Sequence, residues 1–239
     1  MYYYITPAIS SYDVILIASA ALPALFLMLK VYRSDRLEPE SSGMLWRLMI
    51  VGVLSSLVAL VEERVLVAVL DAVVTKNYAL YMFLLYFVIV AYAEESSKYL
   101  LLKRNTWNAP EFNCQYDGVV YAVFVSLGFA LWENISYVMT YGFRVAIVRA
   151  LTAIPGHACF GVFMGVFYGI ARKYENLRQY RAAKLYRVLS LVLPALLHGA
   201  YDYIASTRSS SVGFLAFIVI LFAVSYVLVD RMSKQDQYI

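Results

Sequence analysis

Two histidines, His157 and His198, fall inside long apolar runs, as do the carboxylates Glu94, Glu95, Glu133 and Asp202. Ionisable groups are costly in hydrocarbon, and where they persist they mark proton relays, ion paths or reactive centres. These residue types limit the chemistry. Carboxylates and imidazoles pass protons to and from a reacting group, and the same two types bind zinc with a position left open for water. Glu94 and Lys98 are four residues apart, as are His198 and Asp202, so each pair shares a helix face. Glu95 is turned about 100° from Glu94 and is free to take a different role. A buried Asp202 needs a partner, and His198 one turn earlier supplies it, an arrangement common around metals and bases.

Other designs are absent. The chain has no H-E-x-x-H metal helix, no G-x-S-x-G nucleophile turn and no G-x-G-D segment. Cys114 and Cys159 form neither a C-x-x-C pair nor a disulfide framework. Cys159 lies about 200° around the helix from His157 and reads as a small packing residue.

The elements that must hold these groups follow from composition. The 239 residues are 62% hydrophobic and 15% charged, with mean hydropathy +0.68. A soluble domain carries about a quarter charged residues, so an all-α, multi-pass membrane bundle in one domain, residues 1–239, is expected. The opening MYYYITPAISSYD has no basic residue, which argues against a cleavable signal and keeps the first span in the mature chain. A crossing helix needs about 20 apolar residues. Seven such segments are predicted: 13–32, 45–70, 78–102, 117–140, 147–171, 185–206 and 211–230. Glu62, Glu63 and Arg64 interrupt the second, so residues 62–73 fit either a span or a helix lying at the interface, with the three charges paired to each other or to headgroups.

Lysine and arginine divide 14 to 4 between alternate sides of this arrangement, with Arg64 and Lys98 inside spans and Arg208 and Arg149 among the minority. The positive-inside rule then places the N-terminus outside and the C-terminus in the cytoplasm. The net charge of +4 does not by itself indicate nucleic acid. At about 1.5 Å per residue, Glu94, Glu133, His157, His198 and Asp202 all fall within roughly 12 Å of the midplane and can converge on one cavity. Gly161, Gly165 and Gly169 continue the four-residue spacing that begins at His157. Such a stripe admits close helix approach, so His157 is expected to face packed protein, whether another span or another subunit.

Each group also has a plainer reading. Glu94 and Glu95 fit a polar patch near the interface, with Lys103 and Arg104 as counter-charges; Glu133 fits headgroup depth beside Trp132 and Tyr137. Each histidine alone fits an interhelical hydrogen bond. The combination on neighbouring spans favours chemistry over these, with an ion- or proton-coupled transporter and a non-catalytic scaffold as alternatives. A transporter would more often show broken helices in paired repeats, and no repeat is visible.

In order along the chain run D-R-x-E-P-E (Asp35, Arg36, Glu38, Pro39, Glu40), E-E-x-x-K (Glu94, Glu95, Lys98), D-G-V-V-Y (Asp117 to Tyr121), G-F-A-x-x-E-N (Gly128 to Asn134), a lone His157, and H-x-x-x-D (His198, Asp202). This series resembles the PrsW family of intramembrane proteases, which belongs with the type II CAAX prenyl proteases and the Aph subunit of γ-secretase. Glu133 stands where the CAAX branch has histidine, and Lys98 where it usually has arginine; both departures point to the PrsW branch and away from prenylated substrates. The resemblance implies a catalytic core at about 78–206 and hydrolysis of a peptide bond in a membrane-anchored protein, a class that includes anti-sigma factors. It implies Glu94 as general base, with Glu95 and Lys98 orienting or shielding it. Two mechanisms follow. In one, Glu133, His157 and His198 bind zinc, with Asp202 as ligand or outer support. In the other, no metal is used: Glu94 and His198 hold the water, and His157 or Asn134 stabilises the oxyanion. The donor types favour zinc.

Overall fold

The computed structural model describes residues 10–206 and 211–239. The opening segment before Ser10, and Arg208 from the charge count, lie outside the described residues. Within them, seven helical runs are long and apolar enough to cross a membrane. The predicted number of spans is therefore borne out.

Each early helix starts on a side chain that accepts an otherwise orphaned backbone N–H. Helix α1 (Ser11–Arg33) is capped by Ser10, whose hydroxyl accepts from Asp13 N while the Asp13 carboxylate accepts from Ser10 N. Ser41 caps α2 (Ser42–Val73) through Met44 N, and Asn77 caps α3 (Tyr78–Phe83) through Leu80 N. Helix α2 runs unbroken through Glu62, Glu63 and Arg64. The three charges do not pair as a local cluster: Glu62 accepts from Ser97 at 3.3 Å, and Glu63 lines a central cavity. A π-helical stretch, Leu84–Val90, joins α3 to α4 (Ala91–Thr106), making the third span.

Helix α5 (Asp117–Tyr141) is the centre of the bundle, with its first half buried on every side. The fifth span is two helices, α6 (Phe143–Leu151) and α7 (Ala153–Asn176), parted at Thr152, and Gly142 at φ 84° separates α6 from α5. Helices α8 (Tyr180–Ser206) and α9 (Ser211–Lys234) complete the set.

The glycine stripe of α7 faces α5, not a second subunit. A Cβ on Gly165 would lie 2.4 Å from Gly118 O, and one on Gly118 would lie 2.7 Å from Gly165 O. Backbone meets backbone there, as small residues permit in membranes. The consequence reaches the next turns of the same face, where His157 of α7 is brought against Glu133 of α5.

Candidate active site

Helix α4 presents E-E-x-x-K to the bundle interior, and its three charged side chains are all buried. Lys98 Nζ donates to Glu95 Oε1 at 2.8 Å and to Glu94 Oε2 at 3.2 Å, as helical spacing of three and four allows. It also lies 3.2 Å from His157 Nδ1 and 3.9 Å from the centre of the Phe129 ring. An ammonium has no lone pair, so its contact with His157 assigns the accepting role to Nδ1. The proton then sits on Nε2, which donates to Glu133 Oε2 at 2.9 Å.

His198 is held differently. Its Nδ1 lies 2.9 Å from Glu95 Oε1, while Nε2 lies 3.4 Å from Asp202 Oδ2 and 3.9 Å from Glu94 Oε2. A carboxylate behind Nδ1 fixes the ring and leaves Nε2 for a ligand or a proton. Phe160 stacks on the imidazole at 4.7 Å, and the two histidine rings stand edge to face at 5.2 Å. The pairing of His198 with Asp202 read from the sequence is present, but the closer acid is Glu95.

A cavity of about 730 Å³ opens onto this cluster. Glu94, Glu133, His157, His198 and Asp202 line it; Glu95 and Lys98 do not. The adjacent carboxylates are thus separated in placement by the helix turn: Glu94 faces the cavity, and Glu95 stands behind it, paired with Lys98. Glu95 Oε2 is buried without a hydrogen-bond partner among the described residues.

Asn134 is buried away from the cavity. Its amide donates to Ala20 O of α1 and accepts from Arg149 Nε, both at 2.9 Å. It therefore ties α5 to α1 and α6 instead of facing a substrate oxygen. Two lining residues escaped the sequence reading. Arg149, counted there as an outside charge, reaches Glu133 at 3.0 Å and lies 4.0 Å from the Tyr137 ring centre. Glu63, read as an interfacial charge, lines the cavity from α2. The only hint was their position within predicted spans, Arg149 eight residues before His157.

The donor set suits a metal. One atom from each of Glu94, Glu95, His157 and His198 lies within 4.8 Å of the others. Carboxylate oxygen and imidazole nitrogen are zinc donors, and the orphaned Glu95 oxygen is one more acceptor. The Lys98 ammonium is the competing cation, since it already contacts three of the four residues. Of the four ligands expected from sequence, His198 lies beside Asp202 and His157 is bonded to Glu133, with the two histidine rings in contact between the pairs.

Comparison with known proteins identifies a family. The family model described as PrsW family intramembrane metalloprotease matches residues 40–229. Protease PrsW of Bacillus subtilis strain 168 is 33% identical over 207 residues, covering 86% of this chain and 90% of that one. Protease PrsW of Geobacillus kaustophilus is 34% identical over 189 residues, 79% of each chain. Protease PrsW of Halalkalibacterium halodurans is 30% identical over 224 residues, 93% of this chain and 99% of its own. No solved structure matches the chain. A family match across most of the chain, joined to a buried Glu–His cluster within a seven-span bundle, places this multi-pass membrane protein in the PrsW family of intramembrane proteases.

Proposed function

We propose that the protein hydrolyses a peptide bond of a membrane-anchored protein, of the anti-sigma-factor class, with Glu94 as general base. The observation that carries this is the division of the carboxylate pair: Glu94 lines the cavity while Glu95 and Lys98 lie behind it. A water held between Glu94 Oε2 and His198 Nε2, which are 3.9 Å apart, gives a proton to Glu94 as its oxygen adds to the scissile carbonyl carbon. The tetrahedral species then collapses with cleavage of the C–N bond, and Glu94 returns the proton to the leaving amine, the usual exchange of base and acid roles. Glu95 keeps the His198 ring in orientation through Nδ1. Charge distribution supports an outside N-terminus and a cytoplasmic C-terminus.

A metal fits the donor chemistry. Glu95, His157 and His198 are the residues of this group that would hold it while Glu94 stays free as the base, with Glu133 and Asp202 supporting the two histidines. When bound, zinc polarises water and the carbonyl oxygen. One specific observation favours the metal-free alternative: Lys98 already supplies a positive charge to the same group, at 2.8–3.2 Å. In that reading the Arg149 guanidinium is the cavity-wall N–H donor that serves the oxyanion, since the His157 N–H is committed to Glu133 and His198 Nε2 to the water.

The test is cleavage of single-span membrane proteins co-reconstituted with the purified enzyme, alongside metal analysis of the active preparation. Loss of cleavage in Glu94→Gln is the expected result. Wild-type turnover in that variant overturns the base assignment, and active protein without stoichiometric metal overturns the zinc mechanism.

A further inference from the structure

A second cavity, of about 530 Å³, lies on the outer side of the bundle between α1 and α9, with α7 as its floor. Leu27 of α1, Val162 of α7, and Phe222 and Val229 of α9 make its walls apolar. The helix faces beside it are also apolar and exposed, with Phe26 and Leu29 on α1 and Val224 and Val227 on α9. The slot therefore opens into hydrocarbon.

One end is different. Lys30 and Arg36 line the slot where α1 finishes. Lys30 Nζ leans over the Tyr226 ring at 5.2 Å, and Arg36 forms no hydrogen bond or ion pair among the described residues. The one carboxylate that lines this end among the described residues, Asp230, is neutralised by Lys234 at 2.8 Å. The Ser233 hydroxyl donates to Ser34 O, joining α9 to the α1 terminus and closing that end. An apolar trough that ends in two available cations matches a molecule with a long apolar chain and an anionic head, and basic residues at a membrane surface attract such lipids.

We propose that this slot is a binding site for an anionic phospholipid, with an acyl chain between α1 and α9 and the phosphate held by Lys30 and Arg36. A free anion would leave the walls without a ligand, and a second copy of the chain would have to bring acidic groups to the same two cations. The site shares no lining residue with the active-site cavity, so it stands independently of the catalytic reading.

The experiment uses the full chain in nanodiscs of phosphatidylcholine and phosphatidylglycerol, extracted into mild detergent and examined by native mass spectrometry. Selective retention of about one phosphatidylglycerol per chain is expected. Lys30→Gln with Arg36→Gln should lower it about 30-fold, in keeping with what two cations contribute at an anionic surface. Val229→Trp, which fills the slot and spares both charges, should lower it as well. A thermal melt on each variant verifies folding, and the milder Arg36→Gln alone gives a smaller loss in the same direction. Equal retention of both lipids, or unchanged retention in the charge and slot variants, overturns the proposal. So does competition by glycerol phosphate at the same strength, which would make this a plain anion site, or a dimer that Val229→Trp dissociates without any lipid being lost.

Discussion

Lys98 Nζ lies 2.8 Å from Glu95 Oε1, and both side chains are withdrawn completely from solvent. A buried pair of this kind adds little net stability, but removing one partner leaves an uncompensated charge at a cost of about 3–5 kcal/mol.

Lys98→Met should therefore lower the thermal midpoint strongly in detergent. The same variant separates the two mechanisms, because it removes the ammonium that contacts three of the four donors. With a metal-binding cluster, added zinc restores the midpoint and is retained through desalting; with a metal-free site it does neither.

Glu94→Gln and Glu95→Gln should fail for different reasons. Glu94→Gln removes the proton acceptor and should cut cleavage by at least about 100-fold, the lower range for general-base loss, with the melt little changed. Glu95→Gln should lower both, since it loosens Lys98 and His198 together. Equal melts and equal activities in the two variants would contradict the division of labour.

Arg149 pins the short helix α6 to the site through Glu133 and Asn134. Arg149→Ala should reduce cleavage about 10- to 100-fold by shifting Glu133 and His157, in line with the cost of small misplacements. Arg149→Lys should recover little, because one ammonium does not reproduce a planar fork that spans two partners. Cleavage rates of the two variants on one substrate are the check.

Gly165→Ala should destabilise by about 1–3 kcal/mol or more, given the 2.4 Å approach to Gly118 O. Gly43→Ala is the control. Nothing lies within 4 Å of its Cβ position, so it should be neutral or gain about 0.5–1 kcal/mol from reduced chain entropy. Thermal melts of the two proteins should move in opposite directions or differ clearly in size.

Glu40, in the connection between α1 and α2, gives a pH dependence outside the membrane. Burial pushes its carboxyl up from 4.5 to about 7 against the hydrogen bond from Tyr121, and burial raises Asp35 to about 6. The folded state then holds protons that the unfolded chain has released, so stability falls as pH rises through this interval. The thermal midpoint should decline from about pH 4.5 to about pH 7 and level off above; Glu40→Gln should flatten part of that slope.

The seven spans and the paired residues Glu94–Lys98 and His198–Asp202 were legible because helical period and hydrocarbon thickness are local properties of sequence. The convergence on α4, α5, α7 and α8 was legible in outline, since ionisable groups at similar depth have few places to go. Partner choice was not. Lys98 bonds His157 across 59 positions and His198 bonds Glu95 across 103, distances over which spacing carries no information. Arg149 was misplaced because charge counting assigns a basic residue near a span end to the surface, and Glu63 was missed because three adjacent charges in an apolar run read as paired with each other or with headgroups. Here a break at Thr152 and an unbroken α2 turn both toward the cavity.

The wide-turned stretch Leu84–Val90 ends just before the E-E-x-x-K turn, and its Phe87 occupies the place where Gly199, next to His198, would carry a Cβ, with the ring 2.6 Å away. A π turn holds one residue more than an α turn. If the same residues rewound as ordinary α-helix, the surplus residue would be carried into the helical repeat and would swing everything downstream by about 100°. Glu94 would leave the cavity wall without any substitution in the site. The winding of the third span, not only its composition, is thus under chemical constraint.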